Sequence, residues 1–83
     1  MELPIGCVVK SIAGRDGGRF FAVLSTDGEF ALIADGKLRK IERPKRKKLK
    51  HLRKTNTVIA EDELTTNKRI RQALYSFNQE ENQ

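Results

Sequence analysis

The sequence has few of the residues that stabilise small chains through cross-links or bound metals. Its 83 residues include one cysteine, Cys7, and one histidine, His51. A single cysteine cannot close an intramolecular disulfide, and this pair does not complete a closed zinc site without several carboxylates. We therefore expect Cys7 to be a small buried hydrophobe, and we expect no metal and no cofactor.

Long hydrophobic runs are also missing. Hydrophobic residues make up 37% of the chain and charged residues 34%, and there is no run of about 18 apolar residues, as a membrane-spanning helix requires. The N-terminal segment MELPIGCVVK lacks the basic region and apolar region of a secretory signal. We expect a cytoplasmic protein without a membrane partner.

The length predicts one small domain, because domains typically have roughly 100 to 200 residues. A chain of 83 residues buries only a small core, which leaves little room for a deep enzyme cleft. The sequence contains no recognisable set of nucleophile, base and orienting residue. We therefore expect a protein that is not an enzyme.

Positive charge is abundant and is concentrated in one segment. The chain has 17 Lys and Arg against 11 Asp and Glu, a net charge of +6. Residues 37–54, KLRKIERPKRKKLKHLRK, hold eleven cations and one acid, a net of +10, whereas the other 65 residues have a net of −4. This basic segment repels itself unless a counter-charged ligand binds, and nucleic acid is the usual ligand of such a domain. A solvated cationic surface without a partner is the alternative.

The first half of the chain has the pattern of a small β protein. Apolar residues alternate with other residues at the start, which predicts a strand. Two further β-prone runs are followed by Asp27-Gly28 and Asp35-Gly36, and Asp-Gly is a strong signal for a type I′ hairpin turn. The predicted strands are residues 5–10, 19–25, 29–34 and 37–42.

The following residues complete the predicted barrel. Pro44 ends the fourth strand because proline cannot donate to a β-ladder. Leu49 and Leu52 are three residues apart, which predicts one helical or 3₁₀ turn within residues 45–52. The β-branched segment 55–60 predicts a last strand. Five short strands with tight turns indicate a mainly β fold, a small and partly open SH3-like barrel.

A helix is predicted after the barrel. Thr66 is a suitable N-cap, and the helix extends to about residue 77, followed by a polar tail. One largely apolar stripe of this helix consists of Asn67, Ile70, Leu74 and Phe77, with Ala73 beside them. A helix of roughly three turns is marginal alone, so the stripe must dock on the barrel or on a protein partner. We therefore divide the chain into the barrel, 1–60, and the helix with its tail, 61–83.

Residues 6–19, GCVVKSIAGRDGGR, follow the pattern G-x-V-V-x-S-x-A-G-R-D-x-G-R, which resembles the KOW motif of RNA-binding and ribosomal proteins. The segment 32–36, the basic segment with His51-Leu52, and Thr55-Asn56 extend the match. Residues 5–60 thus resemble the large-subunit ribosomal protein family fourteen-e and short bacterial KOW-domain proteins similar to it. Gly17 departs from the charged residue expected in this motif, and the helix lies outside the resemblance.

The resemblance implies an SH3-like barrel that binds structured RNA, in the first place ribosomal RNA, without catalysis. It places the contacts in the loop from Ala13 to Arg19 and in later basic loops. The glycines at 14–18 let backbone N–H groups approach a phosphate, and arginines there supply bidentate donors. A turn required only by barrel geometry is the alternative. The predicted RNA-binding residues are Arg15, Arg19, Lys37, Arg39, Lys40, Arg43, Lys45, Arg46, Lys47, Lys48, Lys50, His51, Arg53 and Lys54.

The mode of binding that we expect is recognition of RNA shape. Phosphate contacts carry little sequence information, and no aromatic residue lies in the basic segment, so stacking on single strands is less expected. Phe20 and Phe21 should face opposite sides of a strand, one in the core and one under the helix.

The sequence is compatible with two functions. The first is an RNA-binding ribosomal or ribosome-associated protein. The alternative is a protein-interaction adaptor that uses the barrel or the helix and touches RNA only nonspecifically, and deletion of residues 62–83 should separate the two. The tract PKRKKLK also fits a nuclear localisation signal, which is compatible with RNA binding.

Overall fold

The structure is a computed structural model that describes residues 3–78. The strands are β1 (Cys7–Ser11), β2 (Phe20–Asp27), β3 (Phe30–Ala34), β4 (Lys45–Lys48) and β5 (Leu52–Val58). A 3₁₀ turn at Leu49–His51 links β4 to β5, another spans Glu61–Leu64, and helix α1 spans Asn67–Asn78. All neighbouring strands are antiparallel, in the order β4-β3-β2-β1-β5. The predicted fold class, a mainly β chain with a small five-stranded barrel-like sheet and a C-terminal helix, is confirmed.

One hydrophobic core lies on the inner face of the sheet. The alternation of side chains along β2 places Phe21 and Val23 on this face. Cys7 is fully buried in the same core, as expected for a small hydrophobe. The remaining buried members are Leu3, Val9, Ala31, Ile33 and Leu52.

A second core forms where α1 covers the outer face of β1 and β2. Ile70 and Leu74 are buried against residues that include Val8, Ala22 and Ile59. The apolar stripe of the helix therefore docks on the chain's own barrel, and its buried residues are not available to a protein partner. Among residues 3–78, no helix is long and apolar enough to cross a membrane.

The two ends of α1 are held by side-chain hydrogen bonds. The backbone N–H of Arg69 donates to Thr66 Oγ1 at 3.1 Å, so the predicted N-cap is confirmed.

Phe20 packs on Phe77 with ring centroids 5.1 Å apart, while Phe21 is fully buried on the inner face. The prediction that these adjacent phenylalanines face opposite sides is therefore confirmed.

Asn78 has a different role from the one that the sequence predicted. The prediction that a polar tail begins at this residue is wrong, because Asn78 belongs to α1 and is buried. Its Oδ1 accepts the backbone N–H of Phe20 at 2.9 Å, and its Nδ2 donates to the Phe20 carbonyl at 3.1 Å. The side-chain amide thus satisfies both backbone groups of one β2 residue. Residues 79–83 of the predicted tail lie outside the described residues.

The hairpin between β2 and β3 is confirmed, but its turn differs in detail. The paired residues Asp27 and Phe30 close a two-residue turn of Gly28 and Glu29. Gly28 has a φ of +61°, and within residues 3–78 only glycines have positive φ. A type I′ turn needs positive φ at both central positions, so the predicted turn type is wrong.

The strand predicted at residues 37–42 is also wrong, because these residues form a loop and β3 pairs with β4 instead. The Oδ1 atom of Asp35 accepts the backbone N–H groups of Lys37 at 2.9 Å and Arg39 at 2.8 Å. The backbone N–H of Asp35 in turn donates to the Arg39 carbonyl at 2.9 Å. These bonds fold residues 35–39 around the Asp35 carboxylate, which replaces the predicted two-residue hairpin.

The helical turn predicted within residues 45–52 is confirmed only at Leu49–His51. Residues Lys45–Lys48 form strand β4, although lysine is depleted in strands. The last strand begins at Leu52 rather than at residue 55.

Candidate nucleic-acid interface

The basic segment covers the two outer strands of the sheet and the loop that precedes them. Residues 37–44 belong to the loop between β3 and β4, and the rest lie in β4, the 3₁₀ turn and the first part of β5. Because β4 and β5 are the two ends of the strand order, the segment follows both edges of the barrel and the turn that joins them.

Most cations of the basic segment face solvent. Nine of its eleven Lys and Arg residues are exposed, Lys45 is half-buried, and Lys47 is buried. The one acid of the segment, Glu42, accepts a hydrogen bond from Asn67 Nδ2 at 2.9 Å, which lowers the pKa of Glu42. The exposed cations are Lys37, Arg39, Lys40, Arg43, Arg46, Lys48, Lys50, Arg53 and Lys54.

Strand β4 presents its cations to two different environments. Arg46 and Lys48 are exposed on one face, and Lys47 points to the other face and is 8% exposed. The guanidinium carbon of Arg46 lies 3.6 Å from the centroid of the Phe30 ring. This cation–π contact holds the guanidinium against the outer surface of the sheet.

Lys47 connects β4 to the glycine-rich loop. Its Nζ donates to Asp16 Oδ1 at 2.7 Å and to the Ala13 carbonyl at 2.6 Å. Asp16 also accepts a hydrogen bond from Ser11 Oγ at 2.7 Å. The side chains of Lys47 and Asp16 are only 8% and 16% exposed, so this ion pair fixes the loop onto the barrel.

The surroundings of Asp16 keep its carboxylate ionised. Burial alone raises the pKa of Asp16, but the hydrogen bonds from Lys47 and Ser11 and the charges of Lys47 and Lys45 outweigh it, so the pKa is lowered. A lowered pKa in the folded state stabilises the protein above the ordinary pKa of aspartate. This contribution is lost as the pH falls through the lowered value.

Arg19 is held by a second buried ion pair. Its Nε donates to Asp35 Oδ2, and the side chains of Arg19 and Asp35 are 12% and 0% exposed. Both Arg19 and Lys47 were predicted to bind RNA, but their charged groups are already held by carboxylates, Asp35 fully buried and Asp16 partly buried. We therefore assign them to the structure of the loops and leave them out of the contact surface proposed below.

The glycine-rich loop uses several of its own N–H groups internally. Gly17 donates to Gly14 at 3.2 Å, Gly18 to Ser11 at 2.7 Å, and Arg19 to Asp16 at 3.1 Å, each to a backbone carbonyl. These three groups do not form the predicted phosphate cradle. Gly14 and Gly18 have φ values of +83° and +93°, which favours the alternative that the glycines serve the turn. Arg15 of the loop is exposed.

A groove of about 330 Å³ separates the glycine-rich loop from the loop after β3. Arg15, Arg39 and Lys45 line it together with Leu38, which is 64% exposed. The acid of the groove, Asp16, is already paired with Lys47. Besides the paired Lys47, three cations line this open groove, and together they can bind a phosphate group.

The remaining predicted residues lie near the turn between β4 and β5. His51 is half-buried, and its carbonyl accepts the backbone N–H of Ile12 at 2.9 Å. Arg53 and Lys54 are exposed on β5, and Arg53 lies opposite Lys10 of β1 in the antiparallel strand register. The structure thus places the exposed predicted cations on the loop before β4, on the two outer strands and on the turn between them, with Arg15 across the groove.

Two acids that organise these loops were not among the predicted site residues. Asp16 and Asp35 each lie beside a glycine, and each pairs with a cation distant in sequence, Asp16 with Lys47 and Asp35 with Arg19. The Asp-Gly neighbours indicated turns, but no local pattern revealed the partners. Comparison with known proteins gave no matching family model and no matching curated protein.

Proposed function

We propose that this protein binds structured RNA, in the first place ribosomal RNA or the ribosome, through the exposed cations of the basic segment together with Arg15. The observation that carries this proposal is the exposure of nine of the segment's eleven cations, on the loop before β4, on the two outer strands and on the turn that joins them. The segment's one acid, Glu42, forms a hydrogen bond with Asn67. The resemblance of residues 5–60 to KOW domains supports RNA as the polyanion.

The proposed contact surface binds the sugar–phosphate backbone of the RNA. The exposed cations lie on the outside of the protein, and the groove beside Arg15 is open. Such a surface suits phosphates and the shape of a folded RNA better than base edges. The proposed contact residues are Arg15, Lys37, Arg39, Lys40, Arg43, Lys45, Arg46, Lys48, Lys50, Arg53 and Lys54.

The proposal is tested by the salt dependence of binding to a folded ribosomal RNA hairpin. If about four to six phosphates are contacted, the logarithm of the association constant should fall against log salt with a slope of roughly −3 to −5. Fluorescence anisotropy of the labelled hairpin at several salt concentrations measures this slope. An affinity that is independent of salt contradicts the proposal.

A matched pair of variants locates the contact surface. Arg53→Gln and Arg69→Gln each remove one exposed arginine charge, the first from β5 and the second from α1, where Arg69 lies near Glu63. We expect Arg53→Gln to reduce the slope by about 0.7 to 0.9, the contribution of one phosphate, and Arg69→Gln to leave it nearly unchanged. Equal losses would indicate an effect of net charge without a defined surface.

A further inference from the structure

Helix α1 presents a second basic surface that contains an exposed aromatic ring. Lys68, Arg71, Gln72 and Tyr75 are spaced along one face of the helix and line an open depression of about 720 Å³. Tyr75 is 62% exposed. The helix, NKRIRQALYSFN, contains three cations and no acid, so nothing on the helix itself neutralises this face.

The helix that carries this surface packs against the loop that carries the first cations of the basic segment. Gly36 lies directly against the helix backbone, because an added Cβ would collide with the Asn67 carbonyl oxygen and lie 3.1 Å from the Arg71 nitrogen. The backbone N–H of Ile41 donates to Asn67 Oδ1 at 2.9 Å. Lys37 and Lys40 are next in sequence to these two contacts. The part of the loop that contains Lys37 and Lys40 is therefore held against the first turns of α1, which contain Lys68 and Arg71.

We propose that Lys68, Arg71 and Tyr75 form a binding site for an unpaired nucleotide of RNA, with the base stacked on the Tyr75 ring and phosphates against the two cations. An aromatic platform beside cations is the usual combination for holding single-stranded nucleic acid. The inference rests on the proposed function and extends it. The folded part of the RNA contacts the barrel edges, and a single-stranded part lies across α1.

A lipid surface suits this helix face less well. An interfacial helix directs its apolar side chains outward into the membrane, whereas Ile70 and Leu74 of α1 are 0% and 1% exposed against the barrel. The outward face instead contains Gln72 between the cations and Tyr75. The face thus has the composition of a nucleic-acid site, and lipid binding becomes an outcome of the test.

The test compares two RNA ligands, a blunt hairpin and the same hairpin with a short single-stranded extension. The wild-type protein should bind the extended hairpin more tightly. Tyr75→Leu should remove this advantage, a loss of about 5- to 140-fold for one stacked base, and should leave affinity for the blunt hairpin unchanged. Tyr75→Phe should retain the advantage because the ring remains.

The contribution of the cations is tested at Arg71, with Arg69→Gln again as the control. Arg71→Gln should reduce the salt slope for the extended hairpin by about 0.7, the value for one phosphate of a single strand. Arg69→Gln, on the same helix but outside the depression, should leave the slope unchanged. A circular dichroism spectrum checks that each variant retains the fold.

Tyr75 also provides a direct spectroscopic readout. The chain has one tyrosine and no tryptophan, so its tyrosine fluorescence reports on Tyr75 alone. Stacking of a base should quench this fluorescence with the extended hairpin and not with the blunt one. Free tyrosine mixed with the same RNA corrects for light absorbed by the nucleic acid.

The outcomes separate the inference from the proposed function. If the wild type binds neither RNA with a salt-dependent affinity, both are overturned. If it binds both RNAs in a salt-dependent manner, while Tyr75→Leu behaves as wild type and no quenching occurs, only the inference is overturned. Binding to anionic phospholipid vesicles that requires Tyr75, without an effect of Tyr75 on RNA, also overturns it.

Discussion

At the scale of single residues, Lys47 and Lys48 show how position decides the role of a charge. The two are neighbours on β4, but the Lys47 ammonium is held by Asp16 and by the Ala13 carbonyl, whereas Lys48 is exposed. The same substitution at each position removes the same charge. The pair therefore separates the stability of the barrel from its affinity for RNA.

We expect Lys47→Met to lower the free energy of unfolding by about 2 kcal/mol or more, because it leaves the partly buried Asp16 carboxylate without its cation. Lys48→Met should change stability by less than about 0.5 kcal/mol and should weaken RNA binding. Urea unfolding and anisotropy measure the two effects. Equal destabilisation by both variants would contradict the structural role of Lys47.

The sequence predicts single residues well where the signal is local. Thr66 as an N-cap and the opposite faces of Phe20 and Phe21 follow from side-chain chemistry and from the period of a strand, and both are confirmed. Asn78 was missed because its partner, Phe20, is 58 positions away. The ion pairs of Lys47 and Arg19 were missed for the same reason, because each partner carboxylate is far away in the sequence. Two cations that hold loops in place were therefore grouped with the exposed ones.

At the scale of elements, the loop after β3 and helix α1 depend on each other. Asp35 folds the loop, and Asn67 binds Ile41 and Glu42 through its two amide atoms. Gly36 allows the closest approach, since its φ is +77° and an added side chain would collide with the Asn67 carbonyl. The junction thus positions the basic loop against the helix.

Gly36→Ala should therefore destabilise the protein more than Gly28→Ala. Gly28 also has positive φ, but an added Cβ meets no atom within 4 Å, so its cost is limited to about 1 to 2 kcal/mol of backbone strain. Gly36→Ala adds a backbone collision, for a total of about 3 kcal/mol or more. Thermal and urea unfolding of both variants measure the difference. Equal losses would show that the loop moves away from α1 at no cost.

The elements were predictable to the extent that their own residues specify them. The hairpin of β2 and β3 has apolar strands and a glycine turn, and α1 has a cap and an apolar stripe. Strand β4 consists of KRKK, which has no local preference for a strand. Its conformation comes from pairing with β3, from Arg46 on Phe30 and from Lys47 on Asp16. All three are tertiary contacts, so the sequence placed this strand too early in the chain.

The docking of α1 also changes how the two candidate functions can be separated. Deletion of residues 62–83 would remove Ile70 and Leu74 and expose Val8 and Ala22, which they cover. Loss of RNA binding in that deletion would report unfolding as readily as a lost contact. Surface variants such as Tyr75→Leu and Arg53→Gln leave both cores intact and address the two surfaces separately.

At the scale of the whole molecule, charge is unevenly distributed, with +10 on the basic segment and −4 on the remaining residues. Repulsion within the segment opposes the compact state. The two ion pairs of Lys47 and Arg19 are partly or fully buried, and buried pairs are screened less than exposed charges. Salt should therefore weaken the repulsion among the exposed cations of the basic segment more than it weakens the attraction within these two ion pairs.

We expect the free energy of unfolding to increase when NaCl is raised from about 0.01 M to about 0.15 M, because the Debye length falls from about 30 Å to about 8 Å. A variant with Lys48→Gln, Lys50→Gln and Arg53→Gln should show a smaller increase, since three exposed cations are gone. Urea unfolding at each salt concentration measures both proteins. A decrease in wild-type stability with salt would contradict the predicted repulsion.

The position of β4 at the end of the sheet has a further consequence for how copies of the protein meet. An outer strand offers unpaired backbone groups to any other strand, and natural proteins often protect such edges with lysine. Every residue of β4 is Lys or Arg, so two copies that approach edge to edge face each other with like charges. The same cations thus oppose aggregation in the free protein. When bound RNA neutralises these cations, the RNA itself must cover the β4 edge and keep a second copy from pairing with it.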